Sequence, residues 1–239
     1  MITKYRNILR QRWRWMRYAN ALDRMTSLDQ FRVLVTSLNE PVFRNHEEWG
    51  QLSQGDCPAV LDALRLSMEG KTFFDVGPGY GAALDVAKVR GASGTYFVDY
   101  DPFMCTFNRL KGHRGVRLDI RTELGRLAPK RFDFIWSKAT FTVDRFLARE
   151  NNPWQSTFSK YPRLIDLLRQ LDALVAPGGV ILFCPHWDYV DKERKIKDVK
   201  HGAITEIFLQ HGYEILPWID GHNREPVYPI TFLKRTFQQ

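Results

Sequence analysis

A chain of 239 residues that is 44% hydrophobic and 13% aromatic can bury one sizeable core and a smaller appendage. Its 35 Lys and Arg against 27 Asp and Glu leave a formal net charge of +8, which raises the expectation of a polyanionic partner. No run approaches the roughly 18 apolar residues of a membrane-spanning helix, and no apolar stretch follows the basic N-terminus as a secretory signal requires. Cys57, Cys105 and Cys184 are odd in number, widely spaced and without zinc spacing, so the expectation is a soluble, cytoplasmic protein.

In chain order, residues 1–25 read as a basic helix in which Lys4, Arg6, Arg10, Arg12, Arg14 and Arg17 interleave with Trp13, Trp15 and Tyr18. Its apolar residues spread over more than one face. Two further helices are expected: Ser27 to Leu38, capped by Ser27 or Asp29, and Pro58 to Met68, with Asp56 as N-cap and Pro58 at an early position. The polar segment Asn39 to Asp56 between them is irregular. These residues form an N-terminal helical extension, 1–69, ahead of an α/β domain, 70–239.

The most informative stretch opens that domain. Phe73, Phe74 and Val76, with Asp75 among them, lead into Gly77-Pro78-Gly79-Tyr80-Gly81, and a helical pattern starts at Ala82. A strand, a tight glycine turn and a helix N-terminus let backbone approach a nucleotide-like ligand closely. The glycines follow G-x-G-x-G rather than G-x-G-x-x-G, and an acid sits inside the strand. Both features point away from a dinucleotide and toward a ligand with a cationic moiety and no pyrophosphate.

Strand and helix then alternate, with strands near 72–76, 95–99, 115–118, 132–136 and 179–184 and helices near 82–89, 102–111 and 161–175. This pattern implies a parallel sheet covered on both faces. Lys195 to Gln210 reads as another helix ended by His211-Gly212, and Tyr213 to Ile219 and Val227 to Phe237 as β-rich runs. Ala139 to Tyr161, with Arg145, Arg149, Asn151, Asn152, Trp154 and Gln155, is a long connection whose composition suits a polar ligand such as a sugar; a plain surface loop is the alternative.

Asp75-Val-Gly77-Pro-Gly79-Tyr-Gly81 resembles motif I of the class I S-adenosylmethionine-dependent methyltransferases. Four later segments agree in order: Gly94 to Asp101, Gly115 to Ile120, Arg131 to Lys138, and Leu174 to Cys184 with its Pro-Gly-Gly turn. The resemblance implies a seven-stranded Rossmann-like fold, mostly parallel with an antiparallel final strand, and S-adenosyl-L-methionine as cofactor, giving S-adenosyl-L-homocysteine.

By that resemblance, Asp75 faces the amino group of the methionine portion, Gly77, Gly79 and Gly81 leave room for it, and Pro78 stiffens the turn. Asp99 lies 99 − 77 = 22 residues after the first glycine, near the roughly 20-residue offset of a ribose-binding acid. Asp101 is the near alternative, although its Asp-Pro context resembles a helix start. Asp119 resembles the acid that reaches the adenine amino group, with Ile120 or Phe103 on the ring; a helix cap is the alternative. Ser137 is counted with the cofactor-binding residues.

Catalytic candidates follow strands four and five. His186 is the first choice for a general base, oriented by Asp188 or Asp191, and Lys138 for stabilising a developing alkoxide or attracting a phosphate. The plainer alternatives are a turn hydrogen bond for His186 and a solvated Lys138. No divalent metal is expected. Trp136-Ser137-Lys138-Ala139 lacks the Asn/Asp-Pro-Pro-aromatic motif of amino-methylating DNA enzymes, and no Pro-Cys stands there, so DNA-base methylation is disfavoured.

Three readings of function follow. The first is O-methylation of a hydroxylated small molecule or saccharide, lipid-linked or surface polysaccharide included, with residues 1–25 in peripheral contact with the inner membrane face. The second is RNA methylation, the same arginines tracking phosphates. The third is a non-catalytic binding subunit of the same fold. The sequence leaves the oligomeric state unspecified.

Overall fold

The computed structural model describes residues 17–38, 56–120, 123–127, 130–138, 162–184, 207–217 and 230–236. Seven strands form one sheet: β1 (Thr72–Val76), β2 (Gly94–Asp99), β3 (Arg114–Arg117), β4 (Phe132–Lys138), β5 (Val175–Cys184), β6 (Glu214–Pro217) and β7 (Ile230–Arg235). Their spatial order is β3-β2-β1-β4-β5-β7-β6. β1 to β5 pair in parallel, and β7 runs antiparallel to both neighbours. This is the seven-stranded Rossmann-like arrangement expected above, with the antiparallel strand inserted between β5 and β6.

β1 lies inside the sheet, between β2 and β4, because both of its faces are largely apolar. Phe73 and Phe74 point to opposite sides and both are buried. Phe74 stacks on Phe132 of β4 at 4.4 Å in a cluster with Val76, Val98, Ile135, Ile181 and Phe183. Phe73 joins Phe97, Phe134, Trp136 and Leu182 on the other face. Truncating Phe74 to Ala would cost about 3–5 kcal/mol, the usual range for a buried aromatic.

The connecting helices divide between these faces. α2 (Asp56–Ala63) and α3 (Ala82–Val89) supply Val60, Leu61, Leu84 and Ala87 to the Phe73 side. α5 (Pro162–Asp172), the 3-10 turn Leu124–Leu127 and Phe208 pack on the Phe74 side. The chain steps outward from β1 to β2 and β3, then returns to β4 and β5. With right-handed crossovers, that reversal opens a crevice between β1 and β4 at the C-terminal ends of the strands, where ligands of such sheets collect.

α1 (Leu28–Ser37) is capped by Ser27, whose hydroxyl accepts a hydrogen bond from the Gln30 N–H. With helical residues 17–23 it packs on α4 (Pro102–Leu110) through Leu22, Phe31, Val35, Phe103 and Met104. Arg109 of α4 also donates to the Leu22 carbonyl at 3.1 Å.

The largest boundary differences from the sequence expectation lie in α2 and β5. α2 contains Asp56 rather than being capped by it and ends at Ala63, because Arg65 adopts a left-handed φ of 54°; Met68, beyond it, still reaches the core. β5 begins at Val175, not 179: Pro177-Gly178-Gly179 is a bulge inside the strand. β4 advances from Phe132 to Phe134 while β5 advances from Val175 to Val180. A Cβ on Gly179 would stand 2.8 Å from the Ala176 and Asp133 carbonyl oxygens, so glycine is required there. Of the expected helix Lys195 to Gln210, residues 207–210 are described and helical, ending at Gly212 with φ 78°.

Candidate functional site

The end of β1 passes directly into the glycine turn. Gly77 N–H donates to the Val98 carbonyl at 2.8 Å, extending the β1–β2 pairing by one bond. Gly81 N–H then donates to the Pro78 carbonyl at 2.9 Å, closing the turn. Gly77, Gly79 and Gly81 have φ values of 73°, 52° and 71°, a region costly for other residues. Gly81 is the N-cap of α3 without a side-chain cap.

Strand parity brings three of the expected residues to one face. Asp75 pairs in register with Phe97 of β2 and Trp136 of β4. Asp99 lies two residues beyond Phe97, and Lys138 two beyond Trp136, so Asp75, Asp99 and Lys138 project from the same side. A cavity of about 240 Å³ opens at these strand ends, with Gly77, Gly79, Asp99, Asp101 and Lys138 at its polar wall. Val98, Met104, Leu118 and Ile120 give it an apolar wall.

Asp75 is 2% exposed, and no described residue donates a hydrogen bond to its carboxyl group. Burial, followed by the charge on Asp99, pushes the carboxyl well above the usual carboxylate range. Asp99 is also buried, and its Oδ1 accepts from the Asp101 N–H at 2.9 Å, which fixes the carboxyl at the strand end. Asp101 is the N-cap of α4, its carboxylate accepting from the Phe103 N–H at 2.8 Å. Nearby, burial and then the Asp101 charge raise the Tyr80 hydroxyl to about 12, and burial foremost pushes the Cys105 thiol up.

Asp119 sits between Leu118 and Ile120 of the apolar wall. Its N–H donates to the Glu123 carboxylate at 3.0 Å, and its carbonyl accepts the Glu123 N–H at 2.8 Å. That reciprocal pair forms the turn leading to the 3-10 segment. Ser137 is 1% exposed and its hydroxyl donates to the Val76 carbonyl at 3.1 Å, tying β4 to β1 on the face opposite Lys138. His186, Asp188 and Asp191, the segment Ala139 to Tyr161 and residues 1–16 lie outside the described residues.

Sequence reasoning passed over the residues that hold the turn from behind. Asn108 Nδ2 donates to the Gly79 carbonyl at 2.8 Å, and Lys111 Nζ to the Tyr80 carbonyl at 2.9 Å. Met104, Asn108 and Lys111 fall at i, i+4 and i+7, one face of α4 and its C-cap. An amide inside that apolar stripe was the available signal.

This topology is that of the class I S-adenosylmethionine-dependent methyltransferase fold. A TehB-like SAM-dependent methyltransferase from Corynebacterium glutamicum superposes with a TM-score of 0.53 and 15% identity, over 82% of this chain and 98% of its own. DesVI from Streptomyces venezuelae gives a TM-score of 0.51 and 13% identity, over 77% and 91%. A Streptococcus thermophilus protein provisionally described as a hemolysin gives 0.52 and 15%, over 77% and 66%. No family model and no curated protein matches the sequence.

The site residues suit S-adenosylmethionine. A buried carboxyl without a donor among the described residues complements an ammonium or sulfonium charge, a fixed carboxylate at the end of β2 complements a vicinal diol, and the apolar wall offers contact to a purine. Bound there, the cofactor supplies an electrophilic methyl group.

Proposed function

We propose that this chain is an S-adenosylmethionine-dependent methyltransferase that O-methylates a hydroxylated small molecule or saccharide. The observation that carries the cofactor assignment is the buried carboxyl of Asp75, unpartnered among the described residues and set beside Asp99 on the strand that leads into the glycine turn. In this reading Asp75 meets the cationic amino-acid end, Asp99 the ribose hydroxyls, and Leu118 and Ile120 the adenine. Asp101 supports the site as the cap of α4, and Asp119 through the adjoining turn.

The methyl moves by in-line displacement, so the residues chiefly align donor and nucleophile. Lys138, at the cavity edge, stabilises the developing alkoxide, and His186, with Asp188 beside it in sequence, takes the proton of the acceptor hydroxyl. The acceptor class rests on the Trp154, amide and arginine content of Ala139 to Tyr161, and the basic N-terminus supports work at an anionic inner-membrane surface. The net charge of +8 favours RNA as the second reading.

Transfer of an isotopically labelled methyl group from S-adenosylmethionine to a panel of saccharides, hydroxylated small molecules and RNA tests this. Label on a hydroxyl of the first two classes is expected. Label on RNA would move the assignment to the second reading, and cofactor binding without transfer to any acceptor would favour a non-catalytic binding subunit.

A further inference from the structure

The glycine turn carries its own structural problem. Its three glycines take left-handed φ values, and the helix it leads into has no side-chain N-cap. Pro78 fixes its own φ, but the glycines accept many conformations equally well, so the local sequence leaves the Gly79 and Tyr80 peptides weakly constrained. Two consecutive peptide carbonyls are instead fixed from outside, by α4. Asn108 holds the Gly79 carbonyl and Lys111 the Tyr80 carbonyl. Because each peptide is planar and trans, a fixed Gly79 carbonyl also fixes the Tyr80 N–H on the opposite side.

Both anchors are themselves held. Asn108 is fully buried; its Nδ2 also donates to the Met104 carbonyl at 3.0 Å, while its Oδ1, with no hydrogen-bond partner among the described residues, abuts Gly81. Lys111 pairs with Asp85 of α3, and Asp85 accepts a second bond from His113 Nε2 at 3.0 Å. His113 Nδ1 shares a 2.8 Å hydrogen bond with Thr95 of β2, and the Lys111 carbonyl accepts from Lys88 at 3.2 Å. The chain Thr95–His113–Asp85–Lys111 thus runs from β2 through α3 to the turn. Burial acts to raise the Asp85 carboxyl, but the bonds from His113 and Lys111 outweigh it and hold the group in its charged form.

We infer that Lys111 and Asn108 are positioning residues that set the conformation of the Gly77–Gly81 turn and thereby the affinity for the cofactor. This rests on the reading of that turn as the cofactor cradle. Neither residue is among those lining the cavity, so their effect passes through the Gly79 and Tyr80 carbonyls.

The test uses the full chain with Lys111→Met, with Asn108→Ala as a second variant, and with Thr72→Val as a control. Thr72 binds Asp133 through its N–H and its hydroxyl, both at 2.8 Å, at the far end of β1, so the control lowers stability without touching the turn. S-adenosylhomocysteine is titrated calorimetrically into each protein, and amide exchange at Gly81 is followed without ligand. Lys111→Met is expected to bind roughly tenfold more weakly, the loss of one charge-assisted bond. It is also expected to exchange the Gly81 amide faster, while Thr72→Val keeps wild-type affinity at matched stability. Wild-type affinity in Lys111→Met, or an equal loss in the control, overturns the inference. Should the wild-type chain bind no cofactor, the cofactor reading fails by itself, and unchanged Gly81 exchange in Lys111→Met still overturns the clamp.

Discussion

Asp75 and Asp99 stand on adjacent parallel strands, project from the same face and are both buried, and the charge of one raises the proton affinity of the other. A buried carboxyl held beside a second carboxyl costs stability in the ligand-free protein and gains a role once a positive ligand arrives.

The first expectation is a trade between stability and binding. Burial and then the Asp99 charge raise the Asp75 carboxyl well above its ordinary value of 3.8, so the folded chain holds the proton more tightly than the unfolded chain. Stability attributable to Asp75 is therefore retained below that value and lost as pH rises from there toward the raised folded pKa. Asp75→Asn should stabilise the ligand-free protein at pH 7 by about 1 kcal/mol, with the difference shrinking toward pH 4, while weakening cofactor binding. Denaturant unfolding at several pH values checks the sign; a destabilised Asp75→Asn at pH 7 would show that the carboxylate is satisfied in the fold.

Gly79 and Gly81 should respond differently to alanine. A Cβ on Gly81 would stand 1.9 Å from Asn108 Oδ1, whereas one on Gly79 meets nothing within 4 Å. Gly81→Ala is expected to cost roughly 2 kcal/mol or more of stability, from left-handed strain plus the clash. Gly79→Ala should cost roughly 1–2 kcal/mol from strain alone, and should impair cofactor binding because Gly79 lines the cavity. Thermal unfolding beside ligand titration separates the two, and equal stability losses would refute the packing account.

Asp101 should behave as a cap. Asp101→Ala removes the acceptor for the Phe103 N–H and should cost about 1 kcal/mol, whereas Asp101→Asn should recover most of it. A loss of cofactor affinity in Asp101→Asn as deep as that in Asp99→Ala would instead make Asp101 the ribose acid.

The helical extension is a packed part of the structure through residues 17–38. Leu22 is fully buried against Phe31 and Phe103, so Leu22→Ala should cost about 2–5 kcal/mol in global unfolding. Unchanged stability would mean that this segment folds on α4 without contributing to it.

Much of this was readable in the sequence where one local rule decides. The strand cores near 72–76 and 95–99 and the presence of a glycine turn follow from apolar runs and from residues that tolerate positive φ. The bulge in β5 was not, because Pro177-Gly178-Gly179 reads locally as a turn and only pairing with β4 keeps it in the sheet. Ser137 and Lys138 are adjacent in sequence yet serve opposite faces, a distinction that needs the register with β1. Asn108 and Lys111 act on a turn some 30 residues earlier, through contacts 29 and 31 residues apart that no local pattern encodes.

The most direct test of the central claim is calorimetric titration of the purified chain with S-adenosylmethionine and S-adenosylhomocysteine, beside Asp99→Ala. The account predicts micromolar binding by the wild-type chain and a loss of at least roughly tenfold in the variant, since a buried carboxylate acceptor is removed from two ribose hydroxyls. A folded wild-type chain that binds neither compound, or an Asp99→Ala variant that binds as tightly as wild type, would contradict it.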